Sequence, residues 1–174
     1  MEKADLHMHT SASDGQYTPR ELIEIAKKTG LNAIAITDHD TIDGIKEALA
    51  LPKSEMKLIT GIEFSASEYS QLHILGYSFD LNSPEILTLC KKMKEGRDKR
   101  KYEIISFLNK KGVDITIEEV EAVAGGNIIA RPHFARVLLE KHYVETNREA
   151  FNLYLDTEEF QDFWALICWK PKHF

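Results

Sequence analysis

Two histidines near the start of the chain are spaced in a way that could bind a metal ion. His7 and His9 are two residues apart in a segment, 4–9, that alternates apolar and polar residues. In a β-strand this spacing places both imidazoles on the same face, with Cα atoms about 6 to 7 Å apart, which is a chelating geometry. A polar strand face inside a barrel is unfavourable unless something such as a metal ion compensates it. A single pair of this kind can also arise by chance.

Further candidate ligands lie in the turn after this strand, near the ends of other predicted strands or at the start of a helix. They are Asp14, His39, Glu63, His73 and His133. In βα architectures the active site forms where strands end and loops begin, so we expect these side chains to converge. Mixed imidazole and carboxylate ligands favour Mn²⁺, Fe²⁺ or Zn²⁺, whereas oxygen ligands alone would favour Mg²⁺ or Ca²⁺.

The elements that would position these residues alternate between strand and helix over the first eighty residues, which is typical of βα units in a largely parallel sheet or barrel. Apolar runs predict strands at 4–9, 32–37, 57–62 and 71–77. Helices are predicted at 19–29, after an N-cap at Thr18, and at 42–50. Later helices are predicted at 83–111, 116–124, 132–141 and 147–155, and capping boxes are predicted for Thr18 with Glu21 and for Thr116 with Glu119. We therefore expect an α/β part over 1–82 and an all-helical subdomain over 83–162.

Composition and charge exclude several classes of protein. The 174 residues are 43% hydrophobic and 29% charged, which fits one globular domain. No apolar run is long enough for a membrane helix and the first residues lack a signal sequence, so we expect a cytoplasmic protein without membrane contact. The two cysteines, Cys90 and Cys168, are too far apart for a redox motif. The net charge of -6 argues against binding double-stranded DNA, because nonspecific binding requires a basic surface.

One segment is strongly basic within this acidic chain. Residues 91–111 contain nine lysines and arginines against three acidic residues. The run forms either the solvent-exposed face of a long helix or a surface that contacts phosphate or a polynucleotide, and the sequence leaves both interpretations open.

Five segments carry a likeness to a known family. They are DLHMHTSASDG (5–15), AITDHDT (35–41), GIEFSA (61–66), HILGY (73–77) and ARPHFAR (130–136). Together they resemble the PHP (polymerase and histidinol phosphatase) family of metal-dependent phosphoesterases, over about residues 3–162. The resemblance is to the branch with a helical insertion, whose members act as 3′,5′-nucleoside bisphosphate phosphatases and 5′ to 3′ exoribonucleases on short RNA. It implies an α/β fold, namely a partial distorted (β/α)7 barrel with an all-helical inserted subdomain.

The resemblance also implies two or three Mn, Fe or Zn ions. The implied ligand sets are His7, His9 and Glu63 for the first ion, Glu63, His73 and His133 for the second, and Asp14 with His39 for the third. Glu63 is the natural bridge, since each of its oxygens can bind a different cation. Asp5 and Asp38 are expected to orient imidazoles rather than to bind metal. A metal-activated water would attack phosphorus.

Three arginines are candidates for binding substrate phosphate. Arg131 lies in the same motif as His133 and could bind phosphate through two hydrogen bonds, or it could form a salt bridge at a helix terminus. Arg97 and Arg100 could guide a second phosphate or a nucleotide, or they could simply be exposed on the basic helix.

The chain departs from the family pattern after residue 161. Family members continue through further barrel strands to an SDxH motif that supplies an Asp to the first metal and a His to the third, and this sequence contains neither. Residues 163–174 are predicted to be a divergent tail, which includes Trp164 and Trp169. Truncation would leave a dinuclear site at best and a bare barrel edge. We expect either that the aromatic tail covers this edge or that the chain self-associates through it.

The leading hypothesis is therefore a metal-dependent phosphoesterase that acts on phosphate esters of nucleotides or short RNA, with activity either intact or reduced by truncation. Two alternatives stay open. One is a noncatalytic metal-binding remnant that needs a partner chain, and the other is a phosphomonoesterase resembling histidinol phosphatase.

Overall fold

The chain forms two compact units. The structure is a computed structural model, and it describes residues 2–52, 55–66, 72–125 and 128–167. The first unit consists of Met1–Ser65 and His73–Lys94, and the second of Ala66–Leu72 and Glu95–Phe174.

The first unit is built on a sheet of four strands within the described residues. Its strands are β1 (Ala4–Met8), β2 (Ala33–Ile36), β3 (Lys57–Ser65) and β4 (His73–Tyr77), in the order β1-β2-β3-β4. β1, β2 and β3 run parallel, whereas β4 is antiparallel to β3. The segment 66–72 between β3 and β4 is too short for a parallel crossover, which needs a dozen or more residues. The largely parallel sheet predicted from the sequence is therefore found for three strands, and the fourth reverses direction.

The sheet curls so that its two edge strands come together. Tyr77 of β4 donates a hydrogen bond from its hydroxyl group to the backbone oxygen of Leu6 in β1, over 2.7 Å. A sheet of this order can form that bond only if it bends round on itself. The curled half-barrel agrees with the partial barrel expected from the sequence.

Helices α1 (Pro19–Lys28) and α2 (Asp43–Ala50) cover the sheet. Thr18 and Glu21 form the predicted capping box at the start of α1. The core of this unit joins apolar side chains of the two helices to those of β2 and β3. Its fully buried or nearly buried members are Leu22, Ile23, Ala26, Ile34, Ile36, Ile42, Ile45, Ala48, Met56 and Ile62. Burial of this apolar surface stabilises the sheet edge from which the candidate ligands project.

The second unit is helical. Its elements are the later part of α3 (Pro84–Lys110), α4 (Ile117–Ala124), α5 (Arg131–Glu140), α6 (Asn147–Ala150), a π-helix (Phe151–Leu155) and α7 (Glu158–Ile167). A separate core of fully buried side chains holds them together, including Leu108, Ile115, Val120, Phe134 and Leu138. The single helix predicted at 147–155 is a short α-helix followed by the π-helix.

The division between the units falls within α3. Ile86 and Cys90, in the first turns of this helix, pack against the core of the first unit, which explains why residues up to Lys94 belong there. The sequence-based limits of 1–82 and 83–162 stay a prediction.

Cys90 is a free thiol, and burial raises its pKa to about 11. Cys168 lies outside the described residues.

The predicted divergent tail starts on α7. Phe163 and Trp164 are partly buried against the core of the second unit, and Trp169 lies outside the described residues.

None of the helices in the described ranges is long and apolar enough to cross a membrane. The cytoplasmic location stays a prediction.

Candidate metal centre

Six of the seven predicted ligands meet in the first unit. They are His7, His9, Asp14, His39, Glu63 and His73. His7 lies in β1, His39 follows β2, and Glu63 and His73 lie in β3 and β4. Glu63 donates a backbone hydrogen bond to Asp38 and accepts one from Asp40, and these bonds extend the parallel pairing of β2 and β3 by an isolated bridge that pairs His39 with Glu63. The strand ends thus bring together side chains that are far apart in the sequence, as predicted.

Glu63 is at the centre of this group. Its Oε2 atom lies 2.8 Å from Nε2 of His7 and 2.9 Å from Nε2 of His9. Its Oε1 atom lies 2.5 Å from Nδ1 of His73. The two carboxylate oxygens therefore face different imidazoles, which is the arrangement that a bridging ligand needs.

Asp14 forms the second acidic position of the group. Its Oδ1 atom lies 3.2 Å from Nδ1 of His9, and its Oδ2 atom lies 3.6 Å from Nε2 of His39. The loop that carries Asp14 folds back onto β1, and a Cβ atom at Gly15 would lie only 2.3 Å from the backbone oxygen of His9. Glycine at this position allows the tight return of the chain.

The ligand atoms fall into three overlapping groups, within each of which they lie no more than 4.8 Å apart. The groups are His7, His9 and Glu63; His9, Asp14 and His39; and His39, Glu63 and His73. The first matches the set expected for the first ion. The other two differ from expectation, because His39 accompanies the Glu63–His73 pair, for which His133 was expected, and because His9 joins the expected pair of Asp14 and His39. The sequence could not reveal this sharing, since it depends on the position of β2 between the other strands.

The four imidazoles are close to one another. Ring centroids are 5.2 Å apart for His7 and His9, 4.7 Å for His9 and His39, and 4.8 Å for His39 and His73. Neutral imidazoles can share such a space and direct lone pairs into it, whereas several imidazolium ions would repel one another. This favours a metal-binding role.

The protonation states of the acids and bases are linked. Burial acts to raise the pKa of Glu63. Interactions with the neighbouring histidines, above all the hydrogen bond with His7 and the charge of His39, outweigh burial, so the pKa of Glu63 lies below its ordinary value. Burial would lower the pKa of His9, yet interactions led by those with Asp14 outweigh it and raise the pKa. Glu63 is therefore ionised at neutral pH, which is the form required of a metal ligand.

The donor set fits a divalent ion of the Mn, Fe or Zn type. Within the described part of the chain, Nδ1 of His9 is buried and makes no hydrogen bond, although Asp14 lies nearby. A buried polar atom in this state is unfavourable, and a bound cation would satisfy it. Imidazole nitrogens and carboxylate oxygens are the ligands that these metals share.

His133, the seventh predicted ligand, belongs to the second unit. It is buried, and its Nδ1 atom accepts a hydrogen bond of 2.9 Å from the backbone nitrogen of Ala130, at the start of α5. Its role as a metal ligand stays a prediction.

Asp5 and Asp38 contact groups other than those expected. Asp5 accepts a hydrogen bond from the backbone nitrogen of His7, and Asp38 accepts hydrogen bonds from Thr10 and Ser13. Burial outweighs these bonds and raises the pKa of Asp38. Among the described residues neither carboxylate is hydrogen-bonded to an imidazole, and their expected role in orienting imidazoles stays a prediction.

The three arginines predicted to bind substrate lie in the second unit. Nη1 of Arg131 lies 3.7 Å from Asp156, and its guanidinium lies 5.6 Å from the ring centroid of Trp164. Arg100 lies 5.4 Å from the same ring centroid, and Arg97 donates to the backbone oxygen of Ile129 over 3.4 Å. The salt bridge left open for Arg131 is thus present, and phosphate binding by all three arginines stays a prediction.

The lysines of the basic run mostly face solvent. The exposed ones are Lys91, Lys92, Lys94, Lys99, Lys110 and Lys111, whereas Lys101 is partly buried. This agrees with the interpretation of the run as a solvent-exposed helix face.

Comparison with known proteins identifies relatives of this chain. It is 40% identical over 155 residues to a 5′-3′ exoribonuclease of Haemophilus influenzae, covering 88% of this chain and 56% of that protein. It is 32% identical over 158 residues to a 3′,5′-nucleoside bisphosphate phosphatase of Chromobacterium violaceum, covering 89% of this chain and 55% of that protein. The chain therefore spans about half the length of the curated relatives it matches.

Two solved structures share the fold of this chain. A metal-dependent phosphoesterase of Bifidobacterium adolescentis matches with a TM-score of 0.80 and 30% identity, over 90% of this chain and 56% of that one. An amidohydrolase of Chromobacterium violaceum, solved with bound sulfate and no metal, matches with a TM-score of 0.81, 30% identity and the same coverage, 90% and 56%. The half-barrel and the cluster of imidazoles around Glu63 accompany a match of residues 5–157 to the PHP domain. The chain therefore belongs to the PHP domain family.

Proposed function

We propose that this chain is a metal-dependent hydrolase of phosphate esters, acting on nucleotides or short RNA. The observation that carries the proposal is the Glu63 carboxylate, whose two oxygens face imidazoles of three different histidines within 2.9 Å. The names of the relatives, an exoribonuclease and a nucleoside bisphosphate phosphatase, support phosphate esters of nucleotides as the substrate class.

Two or three Mn, Fe or Zn ions would occupy the three overlapping groups of ligands. His7, His9 and Glu63 would hold one ion, His39, Glu63 and His73 another, and Asp14 with His9 and His39 a third. Bound divalent ions supply positive charge for the phosphate oxygens and activate a water for attack on phosphorus. The ionised Glu63 carboxylate would supply negative charge to balance the ions that it holds. His133 is proposed as an additional ligand, on the basis of its motif.

The chain's own charges must also accommodate an anionic substrate. The net charge is -6, so affinity for phosphate has to come from local positive groups rather than from the whole surface. We assign this role to the metal ions together with Arg131, Arg97 and Arg100. The planar guanidinium of Arg131 can bind two phosphate oxygens at once, which a lysine cannot do.

The experiment is a phosphate-release assay with a 3′,5′-bisphosphate nucleotide in the presence and absence of Mn²⁺. We expect Mn²⁺-dependent release by the parent chain and its loss in His9→Ala. His142→Ala is the matched control, since His142 is an exposed histidine outside the candidate ligand groups, and it should retain full activity.

Other outcomes would favour the alternatives. Faster release from a small phosphomonoester without a base would favour an enzyme resembling histidinol phosphatase. Mn²⁺ binding without release above the His9→Ala level would favour a noncatalytic remnant, and the proposal would then be wrong.

A further inference from the structure

The two aspartates on either side of His39 are buried, yet they belong to none of the candidate ligand groups among the described residues. Asp38 and Asp40 are 1% and 0% exposed. A buried carboxylate is unfavourable unless hydrogen bonds compensate it, so the partners of each one indicate its role. In both cases the partner is a segment that carries a predicted metal ligand.

Asp38 holds the loop that carries Asp14. Its Oδ1 atom accepts hydrogen bonds from the backbone nitrogen of Thr10 and from the hydroxyl of Ser13, both over 2.7 Å. Its Oδ2 atom accepts from the hydroxyl of Thr10 over 2.6 Å. Because Thr10 follows His9 and Ser13 precedes Asp14, the carboxylate is bonded directly beside two ligands.

The helix α2 closes the other side of this carboxylate. A Cβ atom at Gly44 would lie 2.0 Å from Oδ2 of Asp38 and 2.4 Å from the hydroxyl oxygen of Thr10. Only glycine leaves room for the carboxylate and its partner at this point. The position of Asp38 is therefore determined on both sides.

Asp40 holds the end of β3, which carries Glu63. Its Oδ1 atom accepts a hydrogen bond from the backbone nitrogen of Ser65 over 2.8 Å, and its Oδ2 atom accepts from the Ser65 hydroxyl over 2.9 Å. The backbone nitrogen of Asp40 also donates to the backbone oxygen of Glu63 over 3.0 Å. These contacts require a left-handed backbone at Asp40, with φ of 57°, which is uncommon for a residue other than glycine. A strained backbone conformation of this kind persists only where the surrounding contacts hold it in place, as the bonds to Ser65 and Glu63 do here.

We propose that Asp38 and Asp40 are positioning residues that hold the metal ligands of two other segments in place beside His39. Asp38 acts through Thr10 and Ser13 on the loop of Asp14, and Asp40 acts through Ser65 on the strand of Glu63. This inference rests on the proposed metal centre. Supporting groups of this type commonly change metal affinity by about 10- to 100-fold when they are replaced.

The test measures Mn²⁺ affinity and stoichiometry of the chelator-treated chain by titration, without any activity assay. We expect Asp38→Ala to weaken binding by about 10-fold or more. Asp38→Asn should recover most of the affinity. Its amide oxygen can accept from Thr10 and Ser13, and its amide nitrogen can donate to the Thr10 hydroxyl. Asp40→Ala and Asp40→Asn should behave in the same way with respect to Ser65.

Three further variants separate this role from general destabilisation. Ser13→Ala removes the hydrogen bonds that the Ser13 hydroxyl donates to Asp38 over 2.7 Å and to Asp14 over 3.4 Å, and it should weaken Mn²⁺ binding severalfold. Ser11→Ala changes the same loop outside the contacts of Asp38 and should not. Asp43→Asn neutralises an exposed acid at the start of α2 and should leave Mn²⁺ binding unchanged.

Three results would overturn the inference. Parent-like Mn²⁺ affinity in both alanine variants would show that the ligands do not depend on Asp38 and Asp40. Equal losses in the asparagine and alanine variants would show that charge, rather than hydrogen bonding, is what matters. A parent chain that binds no Mn²⁺, Fe²⁺ or Zn²⁺ would contradict the metal centre itself, and this failure of the proposed function is distinct from the first two results.

Discussion

At the scale of single residues, Glu63 connects the parts of the candidate centre. It lies in β3, is 5% exposed, and has an imidazole from β1 on one oxygen and an imidazole from β4 on the other. Within the described residues it is common to two of the three ligand groups. A neutral side chain of the same shape could keep the packing but could not balance the charge of two cations.

Glu63→Gln should therefore abolish stable metal binding. We expect Mn²⁺ affinity to fall by at least about 100-fold, because replacing even the groups that support a ligand lowers affinity by about 10- to 100-fold. Equilibrium dialysis followed by elemental analysis measures this. Glu24→Gln, at an exposed position on α1, is the control and should bind metal like the parent. Parent-like binding by Glu63→Gln would mean that the ions, if any, lie elsewhere.

At the scale of elements, local sequence signals determine where helices start, whereas the chain connection and contacts between strands determine how β4 is placed. The capping boxes at Thr18 and Thr116 form as their residue types predict, because all the participating atoms lie within one helical turn. The direction of β4 follows instead from the short connection after β3. Antiparallel pairing aligns Ser65 with His73 and Glu63 with Leu75, and thereby brings the His73 imidazole to Glu63.

The capping box of α4 should contribute measurably to stability. Thr116 accepts from the backbone nitrogen of Glu119, and Glu119 accepts from the backbone nitrogen of Thr116 and from Lys141. Thr116→Ala should lower the free energy of unfolding by about 1 kcal/mol. Urea denaturation followed by circular dichroism measures this, and an unchanged midpoint would contradict it.

The same box should make stability depend on pH. Hydrogen bonds with Lys141 and Thr116 lower the pKa of Glu119 from its ordinary value of 4.5. As the pH falls, Glu119 is therefore protonated in the unfolded state before it is protonated in the folded state. The stabilisation by the ionised Glu119 is complete above about pH 4.5 and is lost as the pH falls through the lower pKa of the folded state. Glu119→Gln should flatten the pH dependence of urea midpoints below pH 4.5, and an unchanged slope would contradict the assignment.

At the scale of the whole molecule, the two edge strands leave apolar side chains exposed. Ile74 of β4 is 57% exposed and Leu6 of β1 is 46% exposed. Exposed apolar strand edges favour pairing with another chain. Phe163 and Trp164, at the start of the predicted divergent tail, pack on the core of the second unit.

We therefore expect concentration-dependent self-association through the sheet edge. Light scattering after gel filtration should show a mass above 19.9 kDa that decreases on dilution. Ile74→Lys should shift the distribution towards the monomer, because an edge lysine opposes strand pairing. Leu153→Lys, at a residue of the second unit that is 56% exposed, is the control and should have no such effect. A monomeric parent at all concentrations, or equal effects of both variants, would contradict this expectation.

The sequence was sufficient to predict the types of ligand, most strand and helix positions and the capping boxes, because these depend on residue chemistry and on local periodicity. It also predicted that candidate ligands from separate segments converge, as six of the seven do, since the ends of the parallel strands β1, β2 and β3 meet at one edge of the sheet. Only the tertiary structure decided that His39 accompanies two ligand groups and that β4 reverses. It also decided that Asp38 bonds to the loop that carries Asp14 and that Asp40 bonds to the end of β3. These features depend on distances of a few ångströms between segments far apart in the chain, which are set by packing.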